Sequence, residues 1–447
     1  MISGYSASVV YRDRLRRLDI SVGELCAPPV PRSTPNSRGA DVGALMDIGV
    51  RALGGRTVEE LNDWGRRLFK QEIAAMIYPE ARGLLAAHRR AGHTIVMATS
   101  ATPFQAKYVA EDLDIEDVLC TEPEVVDGML TGELSSPALW GPAKANALAG
   151  YAEKMGADLK NAFAYSNGVE DVFMLEAVGR PVALNPDRGL AKIALRNHWP
   201  SVSLRKPQRG ATPISTIRTA TAMGALAATA ALGASAGIVT GNRQLGANLV
   251  GTYGPDISLT AGHRRRDRRR AQRVDHRPAV FMFNHQSSLD MLVLGTVIKR
   301  DVTGVAKKEA ASDPRFMPVG ALLDVAYIDR TDTTKAKAAL QPAVDKLKNG
   351  VSIVIAPEGT RSPTPRLGPF KKGGFHLAIQ AGVPIVPVVI HNAGERMWRN
   401  SLVAHPGPVY VSVLDPISTE GWETKDLDAH VEKVRAQFEA ALLAGHR

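Results

Sequence analysis

The chain is poor in cysteine: Cys26 and Cys120 are the only two among 447 residues, and they stand far apart. So few thiols imply no disulfide framework, and a reducing compartment is the simpler interpretation. The sequence also lacks an early apolar run of signal-peptide type, because the basic stretch from Arg12 to Arg17 interrupts it. We therefore expect no cleaved export signal.

Acidic residues are outnumbered, with 45 Asp and Glu against 55 Lys and Arg, and the formal net charge is +10. This surplus favours an anionic partner, which could be nucleic acid, a phospholipid surface or a phosphorylated substrate. Residues 263–273 gather seven arginines around one aspartate. We predict a solvated loop that attracts anionic head groups. Because no helix-turn-helix, zinc-ligand or aromatic stacking pattern accompanies this cluster, nucleic acid is the disfavoured partner.

Residues 219–242 contain no ionisable side chain. The stretch is long enough to span a bilayer, which takes about 20 residues, but its alanine, glycine and threonine make it weakly hydrophobic. A buried helix of a soluble protein is the alternative. The basic flanks Arg218 and Arg243 and the many small residues favour a helix at or in a bilayer. We predict association with the cytoplasmic face of the plasma (inner) membrane, with the choice between a spanning and an interfacial helix left open.

The main candidate for chemistry is the stretch from Asn284 to Asp290, which follows the apolar run 279–283. That run predicts a buried strand, and open α/β sheets bind their ligands beyond the carboxyl ends of strands. His285 is therefore a candidate general base near pH 7. Asp290 can fix the tautomer of its imidazole and stabilise the imidazolium that forms. A histidine and an aspartate at this spacing are more often structural, so a second element has to decide.

That second element begins at residues 351–356, which predict another buried strand, and continues into a turn suited to an anion. Gly359 lets the backbone approach a ligand closely, and Thr360 and Ser362 offer hydroxyl groups. Arg361 presents a planar fork that matches phosphate oxygens. A general base beside a phosphate clamp suits removal of a proton from a phosphorylated acceptor.

These stretches resemble, in order and spacing, the sequence blocks of the glycerolipid acyltransferases, especially the 1-acylglycerol-3-phosphate acyltransferases. Two more blocks belong to the resemblance: one runs from Lys307 to Arg330, and the other is Val-Pro-Ile-Val-Pro-Val at residues 383–388. Ala356 departs from the aromatic residue usual in the family, and residues 255–275 do not match it. The resemblance implies transfer of a fatty acyl group from acyl-CoA or acyl carrier protein to the free hydroxyl of 1-acyl-sn-glycerol 3-phosphate (lysophosphatidic acid). The product is phosphatidic acid for phospholipid biosynthesis.

The same resemblance implies roles for individual residues. His285 and Asp290 form the catalytic pair, no acyl-enzyme intermediate is needed, and acyl transfer requires no cofactor. For Glu358 the alternatives are shaping of the turn and binding of the acceptor. The expected phosphate-binding residues are Glu358, Gly359, Thr360, Arg361, Lys307, Lys308 and Arg330.

The amino-terminal half shows a second pattern of strands that lead into polar turns. The apolar run 94–98 precedes a hydroxyl-rich turn with Ser100, Lys144 opens a helix, and another short strand precedes Asn167 and Asp171. A strand, a hydroxyl turn and a helix are typical of a phosphate site.

From Thr94 to Pro186 this half resembles the haloacid dehalogenase superfamily, in its phosphoserine-phosphatase-like branch. The resemblance places Ser100 on a phosphate-binding hydroxyl, Lys144 on the conserved lysine of the family and Asp171 on a magnesium-site acid.

Two departures from that superfamily predict a degenerate domain. Its hydrolases need a D-x-D motif ahead of the first helices, where it supplies the nucleophile, and upstream of Thr94 this chain has only isolated aspartates. Asn167 stands where the family normally has another aspartate, and an amide lacks the charge that a magnesium site wants. We expect catalysis to be absent or very weak, with Mg²⁺ bound only if the domain is functional. The domain is then either a scaffold or one whose natural beginning this chain lacks.

The expected architecture is α/β, with a haloacid-dehalogenase-like Rossmannoid domain followed by membrane-associated helices and an acyltransferase domain. The prolines Pro384 and Pro387 predict an edge or end position for their strand, since proline cannot donate to a sheet ladder. The predicted segments are a flexible stretch at 1–45, the first domain at 46–203, a linker with the membrane helix and arginine loop at 204–275, and the acyltransferase domain at 276–447.

Three other functions remain open at this point. The acceptor could be glycerol 3-phosphate or another lysophospholipid, because acceptor depth depends on apolar walls that the sequence does not place. The chain could be a phosphatase acting through its amino-terminal half. It could also be a non-catalytic membrane-binding protein that uses the arginine cluster.

Overall fold

The structure is a computed structural model that describes residues 1–17, 19–20, 46–207, 210–259, 274–307, 325–328 and 340–445. The chain divides into two compact units, Met1–Pro207 and Gln208–Arg447. Both units combine helices with mostly parallel strands, so the predicted α/β class is confirmed. The arginine cluster, Lys308 and Arg330 lie outside the described residues.

The first unit contains seven strands and seven α-helices with the bounds given below, and residues 46–51 are helical as well. Strands β1 and β2 pair in parallel, β3 and β4 form an antiparallel hairpin, and β5, β6 and β7 form a parallel sheet. The helices are α1 (Ser6–Arg16), α2 (Val58–Leu68), α3 (Pro79–Arg90), α4 (Pro103–Asp112), α5 (Pro142–Met155), α6 (Val172–Glu176) and α7 (Arg188–Arg196). The strands are β1 (Val96–Ala98), β2 (Asp117–Leu119), β3 (Pro123–Val126), β4 (Met129–Leu134), β5 (Phe163–Ser166), β6 (Arg180–Leu184) and β7 (Ser201–Val202).

Helix α1 departs from the flexible stretch expected at residues 1–45 in its first part, because Ser6–Arg16 are helical, whereas residues 21–45 lie outside the described residues. Asp13 is buried on this helix and accepts a hydrogen bond of 2.7 Å from the indole N–H of Trp64. The basic residues that made the segment look like a solvated tail also pair with acids, as Arg16 does with Glu72 at 2.9 Å. Long-range pairing, which local composition does not reveal, orders the segment.

Helix α2 begins after Thr57, whose side chain forms a reciprocal capping box with Glu60. A π-helical turn at Phe69–Ile73 and a 3₁₀ turn at Ala74–Met76 follow α2. Gly65 lets α4 approach, since a Cβ there would lie 2.0 Å from the carbonyl oxygen of Phe104.

The second unit is built on a six-stranded sheet in the order β10-β9-β11-β8-β12-β13, with only β13 antiparallel to its neighbour. Its strands are β8 (Val280–Phe283), β9 (Val302–Lys307), β10 (Ala326–Ile328), β11 (Ser352–Ile355), β12 (Ile385–Ile390) and β13 (Val411–Val413). Its described helices are α8 (Pro213–Thr240), α9 (Arg243–Leu259), α10 (Leu289–Ile298), α11 (Gln341–Lys348), α12 (Gly373–Ala381), α13 (Ala393–Arg396) and α14 (Leu427–Ala444).

Strand β8 is fully buried and contributes to both faces of the sheet. Val280 and Met282 pack in a core with residues of α11, α12 and α14, whereas Phe281 and Phe283 pack in a second core with residues of α10. Alternate side chains of a strand point to opposite faces, so a continuous apolar run is what a strand covered on both sides requires. Helix packing on both faces leaves the strand ends as the places for polar groups.

The edge position predicted for the strand with Pro384 and Pro387 is wrong. Strand β12 lies between β8 and β13 and is bonded to both. Ile385 exchanges backbone hydrogen bonds with Ile417, so the missing N–H of Pro387, two residues on, also faces the β13 side. The regular ladder with β13 starts only at Val388, and Pro387 takes part through its carbonyl, which accepts the N–H of Leu414 at 2.9 Å.

Helices α8 and α9 form a tightly packed hairpin. A Cβ at Gly233 would lie 2.7 Å from the carbonyl oxygen of Gly246, and a Cβ at Gly246 would lie 2.2 Å from that of Gly233. Helix α8 is long and apolar enough to cross a membrane. Its Ile238 and Val239 are 82% and 85% exposed, so the hairpin presents apolar side chains outward.

Candidate active site

Two polar loops meet at the carboxyl ends of neighbouring strands in the second unit. Strands β8 and β11 are parallel and in register, with Ile355 opposite Met282. His285 therefore emerges beside Glu358, and a backbone bond of 2.6 Å from Ser362 N–H to the His285 carbonyl ties the loops together. The two predicted elements thus form one site.

His285 and Asp290 are in direct contact. Nδ1 of His285 lies 2.8 Å from Oδ2 of Asp290, which sits fully buried in the first turn of α10. The same oxygen accepts the backbone N–H groups of Gln286 at 2.7 Å and Ser287 at 2.8 Å. Because a carboxylate only accepts, Nδ1 carries the hydrogen and Nε2 is left with its lone pair. The imidazole is partly exposed, at 21%, so Nε2 can act on a substrate.

Glu358 braces the histidine loop. Its side chain is buried, with Oε1 accepting the N–H of His285 at 2.9 Å and Oε2 accepting the N–H of Gly368 at 2.8 Å. Burial raises the pKa of Glu358, and the two backbone N–H groups partly oppose that shift. With both oxygens taken by the backbone, the geometry favours the turn-shaping alternative over contact with an anionic acceptor.

Arg361, in the turn after β11, extends toward the histidine loop. Its Nη1 donates to the Ser288 hydroxyl at 2.8 Å, next to the histidine loop. Gly359 has φ +72°, a conformation that side-chain-bearing residues avoid, and Thr360 is exposed. Lys307 ends β9, the neighbour of β11, so its backbone lies at the same edge of the sheet.

A second cluster of polar groups lies in the first unit. The ammonium of Lys144 donates to Oδ1 of Asp171 at 2.6 Å, and the Ser166 hydroxyl donates to Oδ2 at 2.6 Å. All three side chains are buried. Ser100 follows β1, whereas Asn167 is exposed. Sequence reasoning assigned no role to Ser166, although its place at the end of β5 is the signal that could have found it.

Comparison with known families supports this division of the chain. Residues 264–391 match the family model for acyltransferases, and residues 18–176 match the model for haloacid dehalogenase-like hydrolases. The 1-acyl-sn-glycerol-3-phosphate acyltransferase of Escherichia coli is 35% identical over 168 residues, which are 37% of this chain and 68% of that protein. This chain belongs to the acyltransferase family.

Other relatives of the acyltransferase unit come from eukaryotes. The proteins of the same description from Cocos nucifera and Saccharomyces cerevisiae are 35% and 37% identical, over 36% of this chain in each case. The chain spans about half the length of these two curated relatives, 52% and 54%.

Two solved structures align with parts of the chain. The 1-acyl-sn-glycerophosphate acyltransferase of Thermotoga maritima aligns with a TM-score of 0.39 and 22% identity, over 51% of this chain and 97% of that one. A phosphoserine phosphatase in apo form aligns with a TM-score of 0.33 and 16% identity, over 43% and 84%.

The acyltransferase site also contains residues that the sequence blocks did not single out. The amide of Asn284 bonds both the carbonyl and the N–H of Ile390, which extends the pairing of β8 with β12 beyond the strand end. Ser287 donates to the carbonyl of Met397 at 2.7 Å. Asn284 and Ser287 stood inside a recognised block, but their partners lie more than a hundred residues away, which local patterns do not show.

Arg399 is the residue that sequence reasoning missed entirely. It follows α13 in the loop that Ser287 fastens beside the site. Burial and the neighbouring positive charge of Arg361 lower the pKa of the Arg399 guanidinium. The available signal was topological: this loop leaves the sheet close to the carboxyl end of β12, the parallel neighbour of β8.

The haloacid dehalogenase-like unit does not offer a fitting magnesium site. Both carboxylate oxygens of Asp171 are bonded to protein groups, and one of those groups is a buried ammonium. Mg²⁺ demands several oxygen ligands in near-ideal octahedral geometry. Among the described residues, no three His, Cys, Asp or Glu side chains gather in a way that could hold a metal.

Proposed function

We propose that the second unit transfers a fatty acyl group from acyl-CoA or acyl carrier protein to the free hydroxyl of 1-acyl-sn-glycerol 3-phosphate. The observation that supports this most is the contact of His285 Nδ1 with the buried Asp290 at 2.8 Å, beside an arginine anchored on Ser288. An oriented base and a cation at one sheet edge suit a hydroxyl on a molecule that also carries phosphate. The names of the matched relatives agree with this acceptor.

The chemistry follows from the tautomer that Asp290 imposes. Nε2 of His285 removes the proton from the acceptor hydroxyl as its oxygen attacks the thioester carbonyl. Asp290 stabilises the imidazolium while the tetrahedral intermediate exists. Collapse of that intermediate breaks the carbon–sulfur bond, and the imidazolium returns the proton to the departing thiolate. The products are phosphatidic acid and the free thiol of the carrier, with no acyl-enzyme intermediate.

The acceptor's phosphate is held, in this proposal, by Arg361 together with Lys307, Lys308 and Arg330. Arg361 is placed for this by its bond to Ser288, three residues from the proposed base. Gly359 and Thr360 let the turn approach the ligand, whereas Glu358 acts through the backbone of His285. Holding both substrates against the base lowers the entropic part of the barrier.

Membrane association is proposed for the hairpin of α8 and α9, on the cytoplasmic side. Its support is the outward-facing apolar surface of α8 and the length of that helix. A lysophospholipid acceptor resides in a bilayer, so an apolar hairpin in the acyltransferase unit brings the site to its substrate. Flotation of the chain with phospholipid vesicles tests the proposal, and a chain that stays with the soluble fraction contradicts it.

For the haloacid dehalogenase-like unit we propose that hydrolysis is absent or very weak. The occupied oxygens of Asp171 support this, as does the lack of a D-x-D motif upstream of Thr94. Phosphate release from phosphoserine or p-nitrophenyl phosphate is the test. Release that disappears on Asp171→Ala would revive the phosphatase alternative.

The acyltransferase test is transfer of a labelled acyl group from acyl-CoA to 1-acyl-sn-glycerol 3-phosphate by membranes that contain the chain. His285→Ala is expected to lower the rate by about 10² to 10⁴, the usual contribution of general-base catalysis. His276→Ala is the matched control, because His276 is exposed and precedes the opposite, amino end of β8. Equal rates for wild type and His285→Ala refute the base. If the wild type is inactive, glycerol 3-phosphate and other lysophospholipids are tested as acceptors.

A further inference from the structure

Arg399 lies in a loop that the structure fastens to the histidine loop. The Ser287 hydroxyl donates to the carbonyl of Met397 at 2.7 Å, and the adjacent Ser288 receives the Arg361 guanidinium at 2.8 Å. Arg399 is two residues beyond Met397, in a short turn closed by a 2.8 Å bond from Ser401 N–H to the Trp398 carbonyl. Arg361 therefore contacts Ser288 directly, and the loop that carries Arg399 is tied to the adjacent Ser287.

The environment of Arg399 leaves its charge uncompensated by the described protein. Its Nε is buried and has no hydrogen-bond partner among the residues that the structure describes. The charge that it senses most is another cation, Arg361, and this neighbour together with burial lowers the pKa of the Arg399 guanidinium. Arg399 as a whole is partly exposed, but the burial of its Nε without a hydrogen-bond partner among the described residues carries a cost. Two guanidiniums side by side are stabilised when one anion accepts hydrogen bonds from both.

We propose that Arg399 is a second cation of the acceptor-phosphate site, and that it forms with Arg361 a clamp for the phosphate monoester of the acceptor. This inference rests on the proposed acyl transfer and deepens it. A dianionic monoester offers oxygens to two planar forks at once, whereas a dephosphorylated acceptor offers neither charge nor a matching geometry. The pair thus selects acceptors that carry a terminal phosphate.

A coenzyme A donor also carries phosphate groups, so the same cations could in principle bind the donor. The acceptor is favoured because Arg361 is anchored next to the loop of the proposed base, where the acceptor hydroxyl has to lie. Kinetics distinguish the two ligands. Substitution of a residue that binds the acceptor changes the KM for the acceptor, whereas substitution of a residue that binds the donor changes the KM for acyl-CoA.

Steady-state kinetics of Arg399→Gln in detergent micelles test the assignment. We expect the KM for 1-acyl-sn-glycerol 3-phosphate to rise about tenfold or more, which is the loss of about 1.4 kcal/mol or more of charged hydrogen bonding. The KM for acyl-CoA should stay within about twofold. Arg399→Lys should recover part of the loss, because lysine restores the charge without the fork. Lys433→Gln on α14 removes one exposed positive charge and serves as the matched control.

A merely structural role for Arg399 predicts a different pattern. Arg399→Gln would then lower kcat and the melting temperature together and would leave both KM values unchanged. Arg399→Lys would lose as much activity as Arg399→Gln. That pattern overturns the assignment, and so does a rise confined to the KM for acyl-CoA.

A binding measurement separates this inference from the proposed activity. Glycerol 3-phosphate is titrated by calorimetry into the wild-type chain and into Arg399→Gln. Binding that is about tenfold weaker in the variant supports the phosphate site even if no acyl transfer is detected. Equal binding in both proteins, or none in the wild type, overturns the site whatever the transfer assay shows.

Discussion

Asp290→Asn separates the charge of the proposed catalytic pair from its geometry. All the hydrogen bonds of the Asp290 side chain go to one oxygen, Oδ2, which accepts from His285 Nδ1 and from two backbone N–H groups. Oδ1 is buried and has no partner among the described residues. An asparagine can therefore place its carbonyl oxygen where Oδ2 is and its amide nitrogen where Oδ1 is. The contacts survive, and the negative charge is lost.

The size of the effect follows from the charge that faces the imidazolium. Two unit charges about 4 Å apart at an effective dielectric constant of about 20 attract by about 4 kcal/mol. Loss of that stabilisation when the imidazole takes up the proton corresponds to a decrease of roughly 10³ in kcat. The buried amide group without an acceptor costs about 1–3 kcal/mol of folding free energy, so the variant should still fold.

The assay measures kcat at saturating acceptor and donor, beside the melting temperature of the same preparation. Asp290→Ala is the second variant, because it leaves the two backbone N–H groups without their acceptor. It should be less stable than Asp290→Asn by about 1–3 kcal/mol, while both lose activity to a similar degree. A kcat for Asp290→Asn within about threefold of the wild type would refute the claim that the carboxylate charge assists His285.

Two further predictions concern the support of the site and the hairpin. Because burial raises the pKa of Glu358 above its ordinary 4.5, its contribution to stability is complete below that value and is lost as the pH rises through the shifted pKa. Glu358→Gln should abolish this part of the pH dependence of the melting temperature, and it should turn an amide N–H₂ toward the N–H of His285 or Gly368. Parallel curves of melting temperature against pH for wild type and variant contradict the raised pKa of Glu358. Gly246→Val should push α9 from α8, where a Cβ would lie 2.2 Å from the Gly233 carbonyl, and should reduce vesicle binding in flotation; unchanged flotation shows that the close packing is not required.

The histidine loop and the anion turn were both predictable, because each is recognisable in a short stretch of sequence. His285 follows the apolar run of β8, and the anion turn follows that of β11, so each appears in a short window of sequence. That the two strands are parallel neighbours puts both turns at one edge, and the structure adds only the bonds between them. The expected contact of His285 with Asp290 is present for the same reason, since five residues of loop and helix start separate them.

What the sequence did not reveal depends on partners that are distant along the chain. Pro387 argues against a strand that is paired on both sides, yet β12 is bonded to β8 and β13, and the Pro387 carbonyl accepts the N–H of Leu414. Arg399 belongs to no motif, and only the bond from Ser287 to Met397 brings its loop to the site. Helix α1 is held by Trp64 and Glu72, which lie about fifty residues further on. Each of these positions is set by tertiary contact, which overrides local preference.

Two of the buried aspartates, Asp171 and Asp290, show how the partner of a carboxylate decides its use. Asp171 faces the ammonium of Lys144, so the pair is closed: both charges are neutralised, and removal of either partner would leave a buried charge at a cost of about 3–5 kcal/mol. Asp290 faces an imidazole instead, and among the described residues only Nδ1 of that ring has a hydrogen-bond partner. The opposite nitrogen of His285 stays available to a substrate because the ring is partly exposed. A buried ion pair whose charges neutralise each other suits a structural role in the first unit. A carboxylate that orients a partly exposed imidazole suits proton transfer in the second unit.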